Sequence, residues 1–227
     1  MITVRASNIV KTADVIIAPR SKKVDQSMAL AAVSHLVSGQ EIKDCVYPMN
    51  RDDGDTLAFW NDIARLTAAL CKAQKSVVHI TIGDPLIYST CCYLLGELEE
   101  MLPNENVHVV PGISAFQAAA AVFQEALTIQ EDRMMLMPAT DMSRVEAALS
   151  HCETLVLYKV GPRITALCEL LEKKGQDHGA RLVCYAEDSV RQYTTRSIKN
   201  ALEDNPGYMS TVIVHLNRCG WKDVSPA

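Results

Sequence analysis

The chain has 227 residues, 48% of them hydrophobic and 22% charged, with a formal net charge of −5 at pH 7. This is the balance of a folded globular protein with a substantial core, large enough for one sizeable domain or two small ones, and it excludes a disordered chain. The acidic balance also argues against broad binding to nucleic acid, which needs a basic face to displace counterions from phosphates.

Taken in chain order, β-branched apolar runs predict strands over residues 15–18, 77–82, 107–110, 134–137, 154–158, 182–185 and 210–216. Segments of helical period lie between them, over 25–37, 56–72, 86–101, 115–124, 143–152 and 162–174. The alternation is that of an α/β protein. The helix ends are chemically marked: Gly39 and Gly175 suit the left-handed residue after a helix, Pro162 a first turn, and Ser143 with Glu146 a capping box. No linker of low complexity and no repeat is present, so any boundary is short; the expected division is into domains 1–112 and 113–227.

Two turns carry the chemistry. In His79-Ile80-Thr81-Ile82-Gly83-Asp84-Pro85-Leu86-Ile87-Tyr88-Ser89-Thr90, a β-like run stops at Gly-Asp-Pro and helical spacing follows. Glycine lets backbone approach a ligand, aspartate accepts hydrogen bonds, and proline presets the turn and suits a first helical position. Val109-Val110-Pro111-Gly112-Ile113-Ser114-Ala115 repeats the logic, with Ser114 as a cap before an alanine-rich helix that permits close packing. Each turn alone is common structural punctuation; their order and spacing are more specific.

On these two motifs the chain resembles the tetrapyrrole methylase family, S-adenosylmethionine-dependent enzymes of corrin synthesis. The resemblance extends through Ala13-Asp14-Val15-Ile16, Leu157-Tyr158-Lys159-Val160-Gly161 and Ser210-Thr211-Val212-Ile213-Val214, and so covers nearly the whole sequence. Tyr47-Pro48-Met49, Tyr88-Ser89-Thr90 with Tyr93-Leu94-Leu95, and Lys159 in its setting are most similar to the branch that methylates C20 of precorrin-2 or cobalt-factor II.

The resemblance implies two α/β domains with S-adenosyl-L-methionine in a cleft between them, and a homodimer acting on a tetrapyrrole. The positions matching cofactor contacts are Ile82, Gly83, Asp84, Ile87, Ser114 and Ala115, followed by Lys159, Met209, Ser210 and Thr211. Arg20, Lys22, Lys23 and Arg51, expected in loops, are candidates for the acceptor's carboxylates, and Tyr88 for polar help to the acceptor. No catalytic base is assigned. Members of the family usually begin with a strand and a glycine-rich loop, whereas Met1-Ile2-Thr3-Val4-Arg5-Ala6 stands at the helix that follows them. The expectation is therefore a fold lacking its first strand.

The eight cysteines form no Cys-x-x-Cys pair and are read as reduced, mostly buried thiols of a cytoplasmic protein. The six histidines lack metal-ligand spacing, so no protein-bound metal is expected; His79, His108 and His215 fall in strand-like runs and are read as satisfied core residues. No run reaches the ~18 apolar residues of a spanning helix, so no membrane partner is expected. Two other readings stay open: the same fold with another acceptor, such as uroporphyrinogen III or another corrin position, and a non-catalytic tetrapyrrole-binding or scaffold homologue.

Overall fold

The computed structural model describes residues 1–21, 26–47, 53–202, 207 and 209–216. These form two compact units, Met1–Ser114 and Ala115–Ala227.

In the first unit the chain forms α1 (Val4–Thr12), β1 (Val15–Ser21), α2 (Met28–Val33), β2 (Glu41–Tyr47), α3 (Asp53–Lys72), β3 (Val77–His79) and α4 (Cys91–Glu99). The strands make a three-stranded parallel sheet in the order β2-β1-β3. Val15, Ile16, Ile17 and Ala18 are all fully buried, as a central parallel strand covered on both faces requires. Alternation divides them: Ile17 packs with Trp60, Ala64, Leu94 and Leu98, while Ile16 and Ala18 pack with Val10, Ala29 and Val33. The carboxylate of Asp14 accepts from the Ser76 amide (2.8 Å) and hydroxyl (2.7 Å), pinning the start of β1 beside β3.

His79 does not fit the expectation of a satisfied core histidine. Its ring lies edge-on to Trp60, with centroids 6.2 Å apart, and both ring nitrogens are buried without a hydrogen-bond partner among the described residues. Burial pushes its pKa down to about 4.

The second unit comprises α5 (Ala115–Phe123), β4 (Met134–Pro138), α6 (Met142–Ala148), β5 (Thr154–Tyr158), α7 (Ile164–Lys173), β6 (Ala180–Cys184), β7 (Tyr193–Thr195) and β8 (Ser210–His215). Its sheet runs β4-β5-β8-β6-β7; β4 and β5 are parallel and the other pairs antiparallel. Leu155 and Leu157 face one layer with Val145, Leu167 and Leu171, while Val156, Val183 and Ile213 face Ala119 and Phe123 of α5. Just past α5, the Glu125 carboxylate accepts from Arg181 (3.2 Å) and from Arg196 and lies 3.1 Å from His215 Nε2. Burial opposes its charge, yet the two guanidiniums hold the carboxyl below its ordinary range.

Several elements differ from expectation. The helix predicted over 86–101 starts at Cys91, because the Asp84 carboxylate takes the Leu86 amide and Tyr88 adopts a left-handed φ of +50°; Pro85 is therefore a turn residue and not a first helical position. Residues 107–110 are not a strand: beyond the turn bond from the Val107 amide to Asn104, they form no backbone hydrogen bond among the described residues. Strands β2 and β7 were not predicted. Asp141, rather than Ser143, caps α6, accepting from the amides of Ser143 (3.0 Å) and Arg144 (3.3 Å). Gly39 and Gly175 do take positive φ, at 95° and 67°. No helix among the described residues is long and apolar enough to cross a membrane, and the seven described cysteines are free.

Candidate functional site

The first group of candidate residues lies on the loop that follows β3. The Ile80 amide still donates to Ile17 of β1 (3.1 Å), and three residues later Gly83 turns the chain with a φ of +79°, a conformation that costs glycine nothing. Asp84 then holds the loop. Its Oδ1 accepts from the Leu86 amide (2.9 Å), and its Oδ2 accepts from the Gly112 amide (2.9 Å), 28 residues further along. A Cβ on Gly112 would run into the Gly83 carbonyl, so the two motifs of the sequence lie backbone against backbone at the one place where both residues are glycine. Downstream, the Ser89 hydroxyl accepts from the Cys91 amide (3.2 Å) and stands 3.4 Å from the Thr81 hydroxyl, which closes the loop onto the start of α4.

This arrangement changes the reading of Asp84. Each carboxylate oxygen already serves a backbone amide, so its first task is to fix the turn, with only remaining lone pairs open to a ligand. Ile82 and Tyr88 are 43% and 50% exposed, Ile87 is half-buried and Ser114 is buried. The loop thus offers fixed backbone beside an apolar surface.

The second group sits at one end of the five-stranded sheet. β8 runs antiparallel to β5 and β6, so Thr211 lies opposite Tyr158 and Ser210 opposite Cys184. Lys159 follows Tyr158 with a φ of +57° and an exposed side chain. The Met209 carbonyl accepts from the Tyr185 amide (2.9 Å). Ser210 and Thr211 are buried; the Ser210 hydroxyl donates to the Gly207 carbonyl, and the Cys184 thiol donates to it (3.6 Å). Ala115 belongs to the same end, because the phenol oxygen of Tyr158 accepts from the amide of Phe116, the second residue of α5 (3.0 Å).

Arg20 is not in a loop. It lies in β1, and its guanidinium pairs with Asp44 on the neighbouring strand β2, so part of its charge is already answered. Lys22, Lys23, Pro48, Met49 and Arg51 lie outside the described residues. The sequence places Tyr158 only within the motif around Lys159, with no role of its own, and does not single out Tyr185. The signal for Tyr158 was its alternation with Val156, which puts both on the face that α5 covers.

Among the described residues no group of His, Cys, Asp or Glu is arranged to hold a metal ion. The first group provides ordered backbone, one anchored carboxylate and apolar surface, and the second provides ordered strand ends; each by itself suits holding a ligand group in place.

Comparison with known proteins gives the arrangement its context. The model for Tetrapyrrole (Corrin/Porphyrin) Methylases matches residues 1–193. The chain is 31% identical over 218 residues to a cobalt-precorrin-2 C(20)-methyltransferase of Salmonella typhimurium, covering 95% of this chain and 90% of that one. Among solved structures, a cobalt precorrin-4 methyltransferase superposes with a TM-score of 0.70 at 18% identity, over 94% of this chain and 88% of the other. A uroporphyrin-III C-methyl transferase from Thermus thermophilus, complexed with S-adenyl homocysteine, gives 0.61 at 18% identity, over 94% and 90%. At that identity the two structures speak for the fold.

Proposed function

The chain belongs to the tetrapyrrole (corrin/porphyrin) methylase family, and on that footing we propose that it methylates a tetrapyrrole at C20 of precorrin-2 or its cobalt form, with S-adenosyl-L-methionine as donor. The observation that carries this reading is the 31% identity, sustained over 95% of the chain, to a relative named for that reaction.

We assign donor binding to Ile82, Gly83, Asp84, Ile87 and Ser114 in the first unit and to Ala115, Lys159, Met209, Ser210 and Thr211 in the second. The local geometry fits such a molecule. Gly83 and Gly112 bring bare backbone together, Asp84 is anchored with lone pairs to spare for an ammonium or hydroxyl, and Ile82 and Ile87 offer apolar contact. When bound, S-adenosyl-L-methionine supplies an electrophilic methyl group on a sulfonium. The protein's own contribution is alignment: a turn fixed by two amide bonds lowers the entropic cost of bringing donor and acceptor together. Tyr88, exposed on the same loop as Gly83, is assigned to the acceptor, with Arg20, Lys22 and Arg51 for its carboxylates. A homodimer belongs to the same reading, and light scattering at twice the monomer mass checks it.

Incubation with methyl-labelled donor and both metal forms of the acceptor tests the reaction. Label on C20 supports the proposal. Label on another ring carbon moves the protein to another branch of the family, and a folded chain that binds neither reactant makes it a scaffold. Charge reversal at Arg20 should raise KM for the acceptor and leave that for the donor unchanged; equal values before and after would remove Arg20 from acceptor recognition.

A further inference from the structure

We propose that Tyr158 is a positioning residue for donor binding, acting through the Phe116 amide at the mouth of α5; the proposal rests on the donor-binding reading given above.

The first amides of an α-helix have no partner within the helix and are normally met by the residue just before it. Here the Phe116 amide is met from 42 residues away, by the phenol oxygen of Tyr158 at 3.0 Å. Tyr158 is also the last residue of β5, where both strand neighbours and its own carbonyl constrain it. It lies opposite Pro138 on β4 and Thr211 on β8, and its carbonyl accepts from the Ala139 amide at 2.7 Å. Tyr158 packs against the cluster that Ala119 and Phe123 of α5 form with Val156, Val183 and Ile213. One side chain thereby links three of the assigned positions: Ala115 precedes the amide it binds, Lys159 follows it in the chain, and Thr211 faces it across the ladder. Losing the hydroxyl leaves the amide without its acceptor and frees the start of α5 relative to the ends of β5 and β8.

The test compares wild type with Tyr158→Phe, which keeps the ring. Three quantities are measured: the Kd for S-adenosylhomocysteine by calorimetry, hydrogen exchange at the Phe116 amide by NMR, and KM for donor and acceptor separately. Loss of one hydrogen bond at a site of this kind predicts a roughly fivefold to twentyfold rise in Kd and in donor KM. Exchange at Phe116 should become faster, with kcat at saturating donor and acceptor KM within about twofold of wild type. A variant with lowered Tm but wild-type Kd and donor KM would overturn the proposal, because Tyr158 would then be structural only. Should the variant not fold, wild type decides: slow exchange at Phe116 before ligand is added supports the preformed cap, and free exchange overturns it. Wild type that fails to bind S-adenosylhomocysteine sinks the donor-binding reading and this proposal with it, whereas binding left unchanged by the substitution sinks this proposal alone.

Discussion

Among the described residues, the sheet of Met1–Ser114 has three strands, and β3 contributes only three residues; that of Ala115–Ala227 has five, and β8 is hydrogen-bonded along its length on both sides. The candidate residues are held in correspondingly different ways. In the first unit the loop runs past the end of a short strand, and a side chain, Asp84, ties it to the segment at Gly112. In the second, the ends of three paired strands set the positions of Lys159, Met209, Ser210 and Thr211, and Tyr158 adds the helix. Where a sheet is narrow, precision comes from a few charge-assisted bonds; where it is wide, it comes from the ladder and the packing beneath it. The first kind of site is vulnerable to single polar substitutions, the second to loss of core volume.

Four changes test that contrast. Leu155→Ala, under the wide sheet, should cost about 4 kcal/mol, the usual scale for emptying a fully buried leucine, and should speed exchange along β5 and β8. Asp84→Ala orphans two amides and should cost about 3 kcal/mol, seen as a lower urea midpoint and faster exchange at Leu86 and Gly112; Asp84→Asn, keeping one acceptor oxygen, should recover part of it. If Asp84→Ala left those amides protected, the loop would not depend on its carboxylate.

The third change concerns pH. The folded His79 titrates near 4, against 6.5 in an unfolded chain, so on acidification the unfolded chain binds the proton first. Stability should therefore fall between pH 6.5 and about 4, by up to roughly 3 kcal/mol, and His79→Phe should flatten that part of the denaturation profile. An unchanged profile would mean that the imidazole is solvated. The smallest effect is expected for Glu125→Gln, about 1 kcal/mol. Its folded carboxyl lies below the ordinary range, so the wild-type advantage is present above the unfolded pKa and should vanish as pH falls through the folded one.

Much of the second unit was legible in the sequence because its strands are long, β-branched and buried: the run at 154–158 is β5 to the residue. The first unit was harder. β2 carries Glu41, Lys43 and Asp44 on the sheet edge, where charge is tolerated and the apolar signal fades. Residues 107–110 have strand composition but no strand partner among the described residues, and pairing is not a local property. The helical period after Pro85 continues across Tyr88, whose left-handed backbone no periodicity announces. The turns themselves were readable from their glycine, proline and aspartate, but their contact with each other was not, since Asp84 and Gly112 meet only in the folded chain. A still longer separation, 42 residues, hid the bond between Tyr158 and the Phe116 amide.

The seating of Gly112 against Gly83 also sorts this loop into parts that protein engineering can and cannot vary. No side chain fits at Gly112, Gly83 needs its positive φ, and Asp84 bridges the two, so these three behave as one inherited block. The side chains of Leu86 and Tyr88 stand exposed on the same loop, outside that block of three. A library seeking a different acceptor therefore belongs at 86 and 88, where side chains can be varied while Gly83, Asp84 and Gly112 keep the frame.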